Sequence, residues 1–235
     1  MNFAAILAGG VGTRMGNLDK PKQYLHLDGK PIIVYTVEKF LYLSEFEKII
    51  VLCPQEWVQP TKDILKQYIE EHDKLVVIAG GKVRNETIMN AVSYIEEHYD
   101  NADEATLVTH DSVRPFVTYR IIKDNLKALE SYNACDTVIP ATDTIVVSND
   151  GNTIDEIPDR SMMYQGQTPQ SFKIATLKNL YETLSAEERD ILTDAAKICV
   201  LRGESVALVD GETFNIKITY PTDLRLAKAL LGSEE

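Results

Sequence analysis

Short apolar runs alternate along the chain with longer stretches whose apolar positions recur at helical spacing. The runs are Phe3–Leu7, Ile49–Cys53, Val76–Ala79, Thr106–Thr109 and Thr137–Ile139. Between them lie the helical patterns Ile32–Leu43, Trp57–Glu71, Thr87–Tyr99 and Tyr119–Tyr132. Near-continuous apolar strands, each followed by an amphipathic helix, predict a mostly parallel sheet covered on both faces. The fold class is therefore α/β, a Rossmann-like three-layer α/β/α sandwich. Ligands of such sheets sit beyond the carboxyl ends of the strands, so the segments that follow each strand are where chemistry is sought.

The alternation breaks after Pro140. Residues 143–157 read as two short extended pieces, TIVVS and TIDEI, around the turn Asn149-Asp150-Gly151-Asn152, which predicts a β-hairpin. An isolated hairpin is marginal in water, so this arm, bounded at 143–160, is expected to protrude and to pack on something, a second subunit among the choices. Helices are expected at Ile174–Leu184 and Glu187–Val200, the second opened by a capping box from Ser185 to Glu188. Strands at Val206–Val209 and Asn215–Thr219 and a closing helix from Pro221 follow. Without a low-complexity linker or an internal repeat, residues 1–235 read as one domain.

Composition narrows the function classes. The 235 residues are 44% hydrophobic and 26% charged, an ordinary globular mixture, and the formal net charge of -12 argues against general nucleic-acid binding. The first thirty residues depart from that balance, with Arg14, Lys20, Lys22 and Lys30 against Asp19 and Asp28. An acidic protein that handles polyphosphates must gather positive charge where the substrate sits. Cys53, Cys135 and Cys199 are widely spaced and show no metal-ligand pattern, so reduced, buried thiols and a cytoplasmic location are expected. The first residues read as a strand running into a glycine turn, not as a signal peptide. No apolar run approaches the ~18 residues of a membrane span.

The turn after the first strand, LAGGVGTRMG at Leu7–Gly16, holds Gly9, Gly10, Gly12 and Gly16. Glycine lets a backbone approach phosphate closely and point successive N–H groups at it. Two familiar phosphate loops are excluded. No Gly-Lys-Ser/Thr exists for a Walker loop, and Gly10-Val11-Gly12 lacks the third glycine of a dinucleotide fold, with Pro21 stopping any helix early. Arg14 inside the turn and Lys20-Pro21-Lys22-Gln23 after it are what phosphoryl transfer uses, because that chemistry is mostly positioning and charge neutralisation. The plainer reading of the same charges is a solvated surface loop.

LAGGVGTRMG followed by PKQY resembles the N-terminal motif of the sugar-alcohol-phosphate cytidylyltransferases. The resemblance continues through GGKVRNETI at Gly80–Ile88, THDSVRPF at Thr109–Phe116, Asp143-Thr144, DRSMMYQGQTPQSF at Asp159–Phe172 and NIKIT at Asn215–Thr219. Leu7-Ala8-Gly9-Gly10, His110-Asp111-Ser112-Val113-Arg114-Pro115 and Tyr164–Gln170 look closer to the branch that uses D-ribitol 5-phosphate than to the branch that uses 2-C-methyl-D-erythritol 4-phosphate. The resemblance thus implies transfer of the cytidylyl group of CTP to ribitol 5-phosphate, giving CDP-ribitol and pyrophosphate for teichoic acid synthesis in the cell wall. Methylerythritol phosphate, in isoprenoid synthesis, is the alternative acceptor.

Residue roles follow from the same resemblance. Arg14 and Lys22 match the transition-state stabilisers, while Lys20 is read as a surface lysine. Leu7, Ala8, Gly9, Gly10, Gly81, Lys82, Val83, Arg84, Asn85, Glu86, Thr87 and Ser112 match the nucleotide site, and Asn85 could also cap the helix that follows. Asp111 matches the ligand of a divalent cation, Mg²⁺, which usually takes one or two carboxylates along with phosphates and water. Phe214 holds the place of a second family carboxylate, with Asp210 and Glu212 nearby, so the metal rests on Asp111. His110 is read as structural, and Gln165–Gln170 as support for the site. Arg160, Lys217 and Thr144 match residues that position the acceptor phosphate. In this family the arm reaches across a homodimer, so Thr144 and Arg160 are expected to serve the partner's site.

The implied partners are CTP, a polyol phosphate and a second copy of the chain, with neither nucleic acid nor membrane. No general base is needed, since the attacking phosphate oxygen is already ionised. Three readings from other classes compete with this one. A nucleotide-sugar glycosyltransferase commonly uses Asp-x-Asp at a strand end, where this chain has Asp111-Ser112-Val113. A hydride-transferring oxidoreductase fails on glycine spacing, and a non-catalytic nucleotide sensor has no use for Arg14, Lys22 and Lys217 together.

Overall fold

The structure is a computed structural model that describes residues 1–10, 15, 20–190 and 194–232. Arg14, Gly12 and Gly16 of the glycine turn lie outside the described residues.

Strand β1 (Asn2–Leu7) is followed by a two-residue ladder, β2 (His26–Leu27) and β3 (Lys30–Pro31), and then by helix α1 (Ile32–Leu41). Next come β4 (Lys48–Cys53), α2 (Val58–Tyr68), β5 (Leu75–Ala79), α3 (Arg84–His98), β6 (Thr106–Asp111) and α4 (Tyr119–Ala128). Strand β7 (Ala134–Pro140) precedes the arm, and β8 (Tyr164–Lys173), α5 (Ile174–Glu182), α6 (Ala186–Asp190), α7 (Ala196–Leu201), β9 (Val206–Asp210) and α8 (Pro221–Gly232) follow it.

Among the described residues the main sheet runs β5-β4-β1-β6-β8-β7-β9. β1 is an interior strand next to the central β6, parallel to β4 and β6, with Leu7 level with both Leu52 and Asp111. Its alternate side chains serve opposite faces, as a doubly covered strand demands. Phe3, Ala5 and Leu7 pack with Ile88, Val92 and Ile95 of α3 and with Leu177 and Ile198, whereas Ala4 and Ile6 pack with α1, Leu65, Ile121 and Ile122. The chain leaves β1 toward β4 and β5 on one side and returns to the other side at β6. That reversal opens a crevice at the carboxyl ends of β1 and β6.

Most predicted elements are present, with ends displaced by a few residues. The capping box is formed: Ser185 Oγ accepts from the Glu188 amide at 3.2 Å, and the Ser185 amide donates to Glu188 Oε2 at 2.8 Å. All three cysteines are buried and unpaired with one another. Burial pushes the thiols of Cys135 and Cys199 up to about 12 and about 11.

Four expectations are corrected. The longest strand, β8, has no counterpart in the sequence reading, because Gln165, Gly166, Gln167, Thr168 and Gln170 interrupt the apolar pattern that marks a strand. It runs antiparallel to both β6 and β7, with a bulge near Asp136. The helix expected at Glu187–Val200 is two pieces, α6 and α7. Asp194 Oδ1 accepts from the Ala196 amide at 2.8 Å, so the chain restarts there. Asn215–Thr219 joins no strand ladder; Ile216 and Ile218 face a small cluster with Leu27, Ile32, Val113 and Ala227. The hairpin is reduced to one antiparallel bridge, Val147 with Glu156, closed by a turn in which Gly151 takes a φ of +73°. Asp150 organises that turn by accepting the amides of Asn152 and Thr153, each at 2.8 Å.

Candidate functional site

The crevice at the head of β1 is a cleft of about 360 Å³. Leu7, Gly9 and Gly10 form one wall, Lys22 and Gln23 another, Gly81–Arg84 with Thr87 a third, and Asp111, Ser112, Val113 and Lys217 close it.

Lys22 reaches the cleft because its neighbours are anchored in the core. Residues 22–24 form one 3-10 turn behind Pro21, with the Tyr24 amide donating to the Pro21 carbonyl at 3.0 Å. Tyr24 is fully buried, stacked on Trp57 at 4.6 Å, and its hydroxyl lies 2.7 Å from Thr61 Oγ1. Burial pushes that phenol up to about 12. Gln23 Nε2 donates to the Ala8 carbonyl at 2.6 Å, tying this turn to the end of β1. Lys22 is thereby held at 7% exposure on a backbone with little freedom.

The turn after β5 is tight enough to exclude a side chain at Gly81. A Cβ there would overlap Cβ of Glu86 and lie 2.9 Å from the Glu86 carbonyl carbon and 3.0 Å from the Thr87 nitrogen. The Gly81 amide donates to Thr87 Oγ1 at 3.0 Å, and the Lys82 amide to Glu86 Oε2 at 2.8 Å. Asn85 is corrected as a helix cap. α3 begins at Arg84 after Val83, and Asn85 sits 3% exposed with both polar side-chain atoms unpaired.

Asp111 stands at the centre of the charges. Its Oδ1 meets Arg84 Nη1 at 2.6 Å, and its Oδ2 meets Lys217 Nζ at 3.0 Å and Arg114 Nε at 3.4 Å. Burial drives the carboxyl upward, but Arg84, Lys217 and Arg114 together overcome it and hold the group well below the ordinary carboxylate range. Arg114 also donates through Nη1 to the Asn215 carbonyl at 2.8 Å, which links β6 to the segment bearing Lys217. Ile218 fastens the same segment with an amide bond of 2.9 Å to the Val113 carbonyl.

His110 is structural, as expected. Its Nε2 lies 3.1 Å from the Arg114 carbonyl and its Nδ1 2.9 Å from Thr168 Oγ1, while that hydroxyl oxygen accepts the Asp111 amide at 3.1 Å. Facing a carbonyl, Nε2 carries a proton and donates it, and burial lowers the ring to about 4. Asn215 is fully buried and donates to Gln167 Oε1 and to the Thr168 carbonyl, both at 3.0 Å. The segment Gln165–Gln170 therefore supports the site from behind.

The structure brings Leu7, Gly9, Gly10, Lys22, Gly81, Lys82, Val83, Arg84, Thr87, Asp111, Ser112 and Lys217 of the expected residues to one cleft. It does not place Ala8, Asn85 or Glu86 on the cleft wall. Ala8 lies beneath it, Asn85 points into the interior, and Glu86 closes the turn through the Lys82 amide. Thr144 and Arg160 are exposed on the arm, where Arg160 Nη1 donates to the Thr142 carbonyl at 3.1 Å. Neither Asp210 nor Glu212 lines the cleft, and Glu212 Oε1 pairs with Arg120 at 2.7 Å. Gln23 and Arg114 were missed as positioning residues. Both stand inside the recognised motifs, but their partners Ala8 and Asn215 are contacts that only folding creates.

A divalent cation fits here in one way. Among the described residues no three His, Cys, Asp or Glu side chains gather as a metal cage. Asp111 supplies one hard oxygen ligand at the cleft floor, which suits a cation that arrives with phosphates and completes its shell with them and water.

A family described as IspD, 2-C-methyl-D-erythritol 4-phosphate cytidylyltransferase, matches residues 3–233. Three solved structures are similar over nearly the whole chain. One is the 4-diphosphocytidyl-2C-methyl-D-erythritol synthase of Anaerococcus prevotii DSM 20548, at 26% identity and a TM-score of 0.80, covering 98% of this chain and 96% of that one. The 2-C-methyl-D-erythritol 4-phosphate cytidylyltransferase of Francisella tularensis gives 28% and 0.80, covering 97% and 98%. The enzyme of that name from Thermus thermophilus gives 25% and 0.71, covering 98% of each chain.

Proposed function

Because the chain belongs to the IspD family and is a CTP-using cytidylyltransferase, we propose that its cleft joins the cytidylyl group of CTP to the phosphate of a sugar alcohol. The observation that carries this reading is the meeting of Lys22, Arg84 and Lys217 in one cleft with Asp111, its one carboxylate among the described residues, at the switch point of a protein whose net charge is -12. An ionised oxygen of the acceptor phosphate attacks the α-phosphorus of CTP. The bond from that phosphorus to the bridging oxygen breaks, and pyrophosphate leaves with the electron pair. No proton need be removed, so cations and positioning supply the catalysis.

Lys22, with Arg14 from the glycine turn, neutralises the charge that builds on the α-phosphate. The glycine turn and the Gly81–Thr87 segment hold the triphosphate and the nucleoside, with Ser112 beside them. Lys217 receives the acceptor phosphate. Asp111 holds the divalent cation, Mg²⁺, which when bound screens the triphosphate charge. Arg160 and Thr144 approach the acceptor from the arm of a second copy of the chain. The arm supports that reading: Ile154, Ile157 and Met162 are 60%, 59% and 67% exposed, far from what an isolated bridge can shelter. Residues 1–235 act as one nucleotidyltransferase domain.

Two acceptors remain, and the comparisons favour the second of those expected from sequence. 2-C-methyl-D-erythritol 4-phosphate has behind it the family description and the names of the matched structures. D-Ribitol 5-phosphate, with CDP-ribitol for teichoic acid as its product, is favoured by Leu7-Ala8-Gly9-Gly10, by Ser112-Val113 after Asp111 and by Tyr164–Gln170. A pyrophosphate-release assay with CTP and Mg²⁺, offering each acceptor separately, decides between them. Turnover with one alone assigns it; silence with both refutes the transfer reading.

A further inference from the structure

The carboxylate that would meet a cation is fully engaged. Arg84 occupies Oδ1 of Asp111 at 2.6 Å, while Lys217 and Arg114 occupy Oδ2 at 3.0 and 3.4 Å. One negative charge faces three positive ones, so a bare divalent cation entering here meets net repulsion and a carboxylate already shared among three donors. The three partners are not equivalent. Arg114 has a side chain only 10% exposed and a second bond, to the Asn215 carbonyl at 2.8 Å, so it stays. Arg84 stands on the first turn of α3 at the cleft wall, its side chain 23% exposed, and among the described residues its one ion pair is with Asp111. Lys217 is 39% exposed.

We propose that Arg84 is an exchangeable counter-ion, which holds Asp111 in the nucleotide-free protein and passes to the incoming triphosphate, so that a divalent cation reaches Asp111 only together with the nucleotide. The inference rests on the assignment of this cleft to CTP and adds an order of events to it. A triphosphate reverses the local sign of charge and offers the guanidinium a bidentate partner at least as good as a carboxylate. Once Arg84 has moved, Oδ1 is exposed to a cation that the phosphates also hold. Cation and nucleotide binding are then positively coupled, and by linkage each strengthens the other by the same factor. Lys217 shares the exchange to a lesser degree, because Arg114 still screens Oδ2 after it leaves.

The test is a Mn²⁺ titration of the nucleotide-free protein, read by the electron paramagnetic resonance signal of free Mn²⁺. Asp111→Asn measures, and removes by difference, the cations held elsewhere on this acidic surface. Wild-type protein is expected to show no saturable Asp111-dependent Mn²⁺ binding until CTP is added. Arg84→Gln is expected to bind Mn²⁺ at Asp111 without nucleotide, tighter by about tenfold or more, the scale on which one adjacent charge alters a carboxylate's affinity for a proton. Equal Asp111-dependent affinity in wild type and Arg84→Gln overturns the proposal. If Arg84→Gln does not fold, the wild type decides alone: Asp111-dependent Mn²⁺ binding as tight without CTP as with it overturns the proposal, and binding that appears only with CTP supports it. Calorimetric titration of CTP into wild type separates the two readings, since failure to bind CTP removes the assignment of the cleft whatever the Mn²⁺ titration shows.

Discussion

At the scale of single residues, the strongest consequence concerns a lysine that the core delivers to the cleft. Lys22 follows Pro21 and precedes two buried side chains, so its backbone is set by Gln23 and Tyr24 while its side chain lines the cleft. Lys22→Ala is therefore expected to keep its thermal midpoint within a few degrees while kcat falls ~100- to 1000-fold, as for loss of one preorganised donor. Steady-state pyrophosphate release beside a melting curve checks it, and near-wild-type turnover would sink the role. Gly81 fails differently. A methyl group there presses on the backbone of Glu86 and Thr87, so Gly81→Ala is expected to shift the turn and raise KM for CTP, with a smaller change in kcat. An unchanged KM would show that the turn does not touch the nucleotide.

At the scale of elements, β7 carries a half-buried carboxyl that lies outside the cleft. Burial, and after it the charge of Asp194, push the Asp136 carboxyl from 3.8 up to about 7, and its Oδ1 has no hydrogen-bond partner. Asp136 keeps its proton in the folded chain where the unfolded chain has lost it. Its contribution to stability is present below pH ~4 and is lost as pH rises through ~7. Asp136→Asn, neutral at every pH, is expected to match wild type in stability near pH 4 and to exceed it at pH 8 by on the order of 3 kcal/mol. Urea denaturation across that range reads the difference directly. A gap that does not widen between pH 4 and pH 7 refutes the account.

The neighbouring strands show what local pattern can and cannot carry. The apolar runs of β1, β4, β5 and β6 are legible because each strand is covered on both faces and has no alternative to apolar residues. β8 is equally central but reads as a polar loop. Gln170 donates its amide to Asp194 at 2.8 Å, the Thr168 hydroxyl accepts the Asp111 amide at 3.1 Å, and Gln167 donates to the Glu212 carbonyl at 2.8 Å. Those partners lie 24 to 57 residues away, so no window of sequence contains the reason these side chains are buried. Asn215–Thr219 errs the other way. Its alternation is real, but the apolar side chains face a satellite cluster beneath α8 instead of a sheet neighbour.

At the scale of the whole molecule, the arm decides how many chains make one site. Thr144 and Arg160 stand outside the cleft of their own chain, on a segment whose apolar side chains are exposed. If the arm completes a partner's site, Lys22→Ala and Arg160→Ala damage different halves of each site. Each variant alone is expected to be nearly inactive, and a mixture unfolded and refolded together is expected to regain activity through mixed dimers holding one intact site. No recovery, with dimers present on a sizing column, would place Arg160 at the site of its own chain. Replacing Ile154 and Ile157 together by aspartate is expected to give monomers by the same column and to abolish turnover.

The sequence by itself determined the α/β class, the order of most elements, the capping box at Ser185 and the residues able to do phosphate chemistry, because each of these is written in local periodicity or in residue type. The tertiary structure alone decided which of those residues meet. It put Lys22, Arg84 and Lys217 at one cleft, bound Asp111 to three cations at once, withdrew Asn85 and Glu86 from the wall and left the arm without a home in its own chain. Such pairings join residues far apart in sequence, Asp111 and Lys217 being 106 positions apart (217 − 111), and a charge's role is set by the neighbours that desolvate and oppose it, which exist only once the chain has closed on itself.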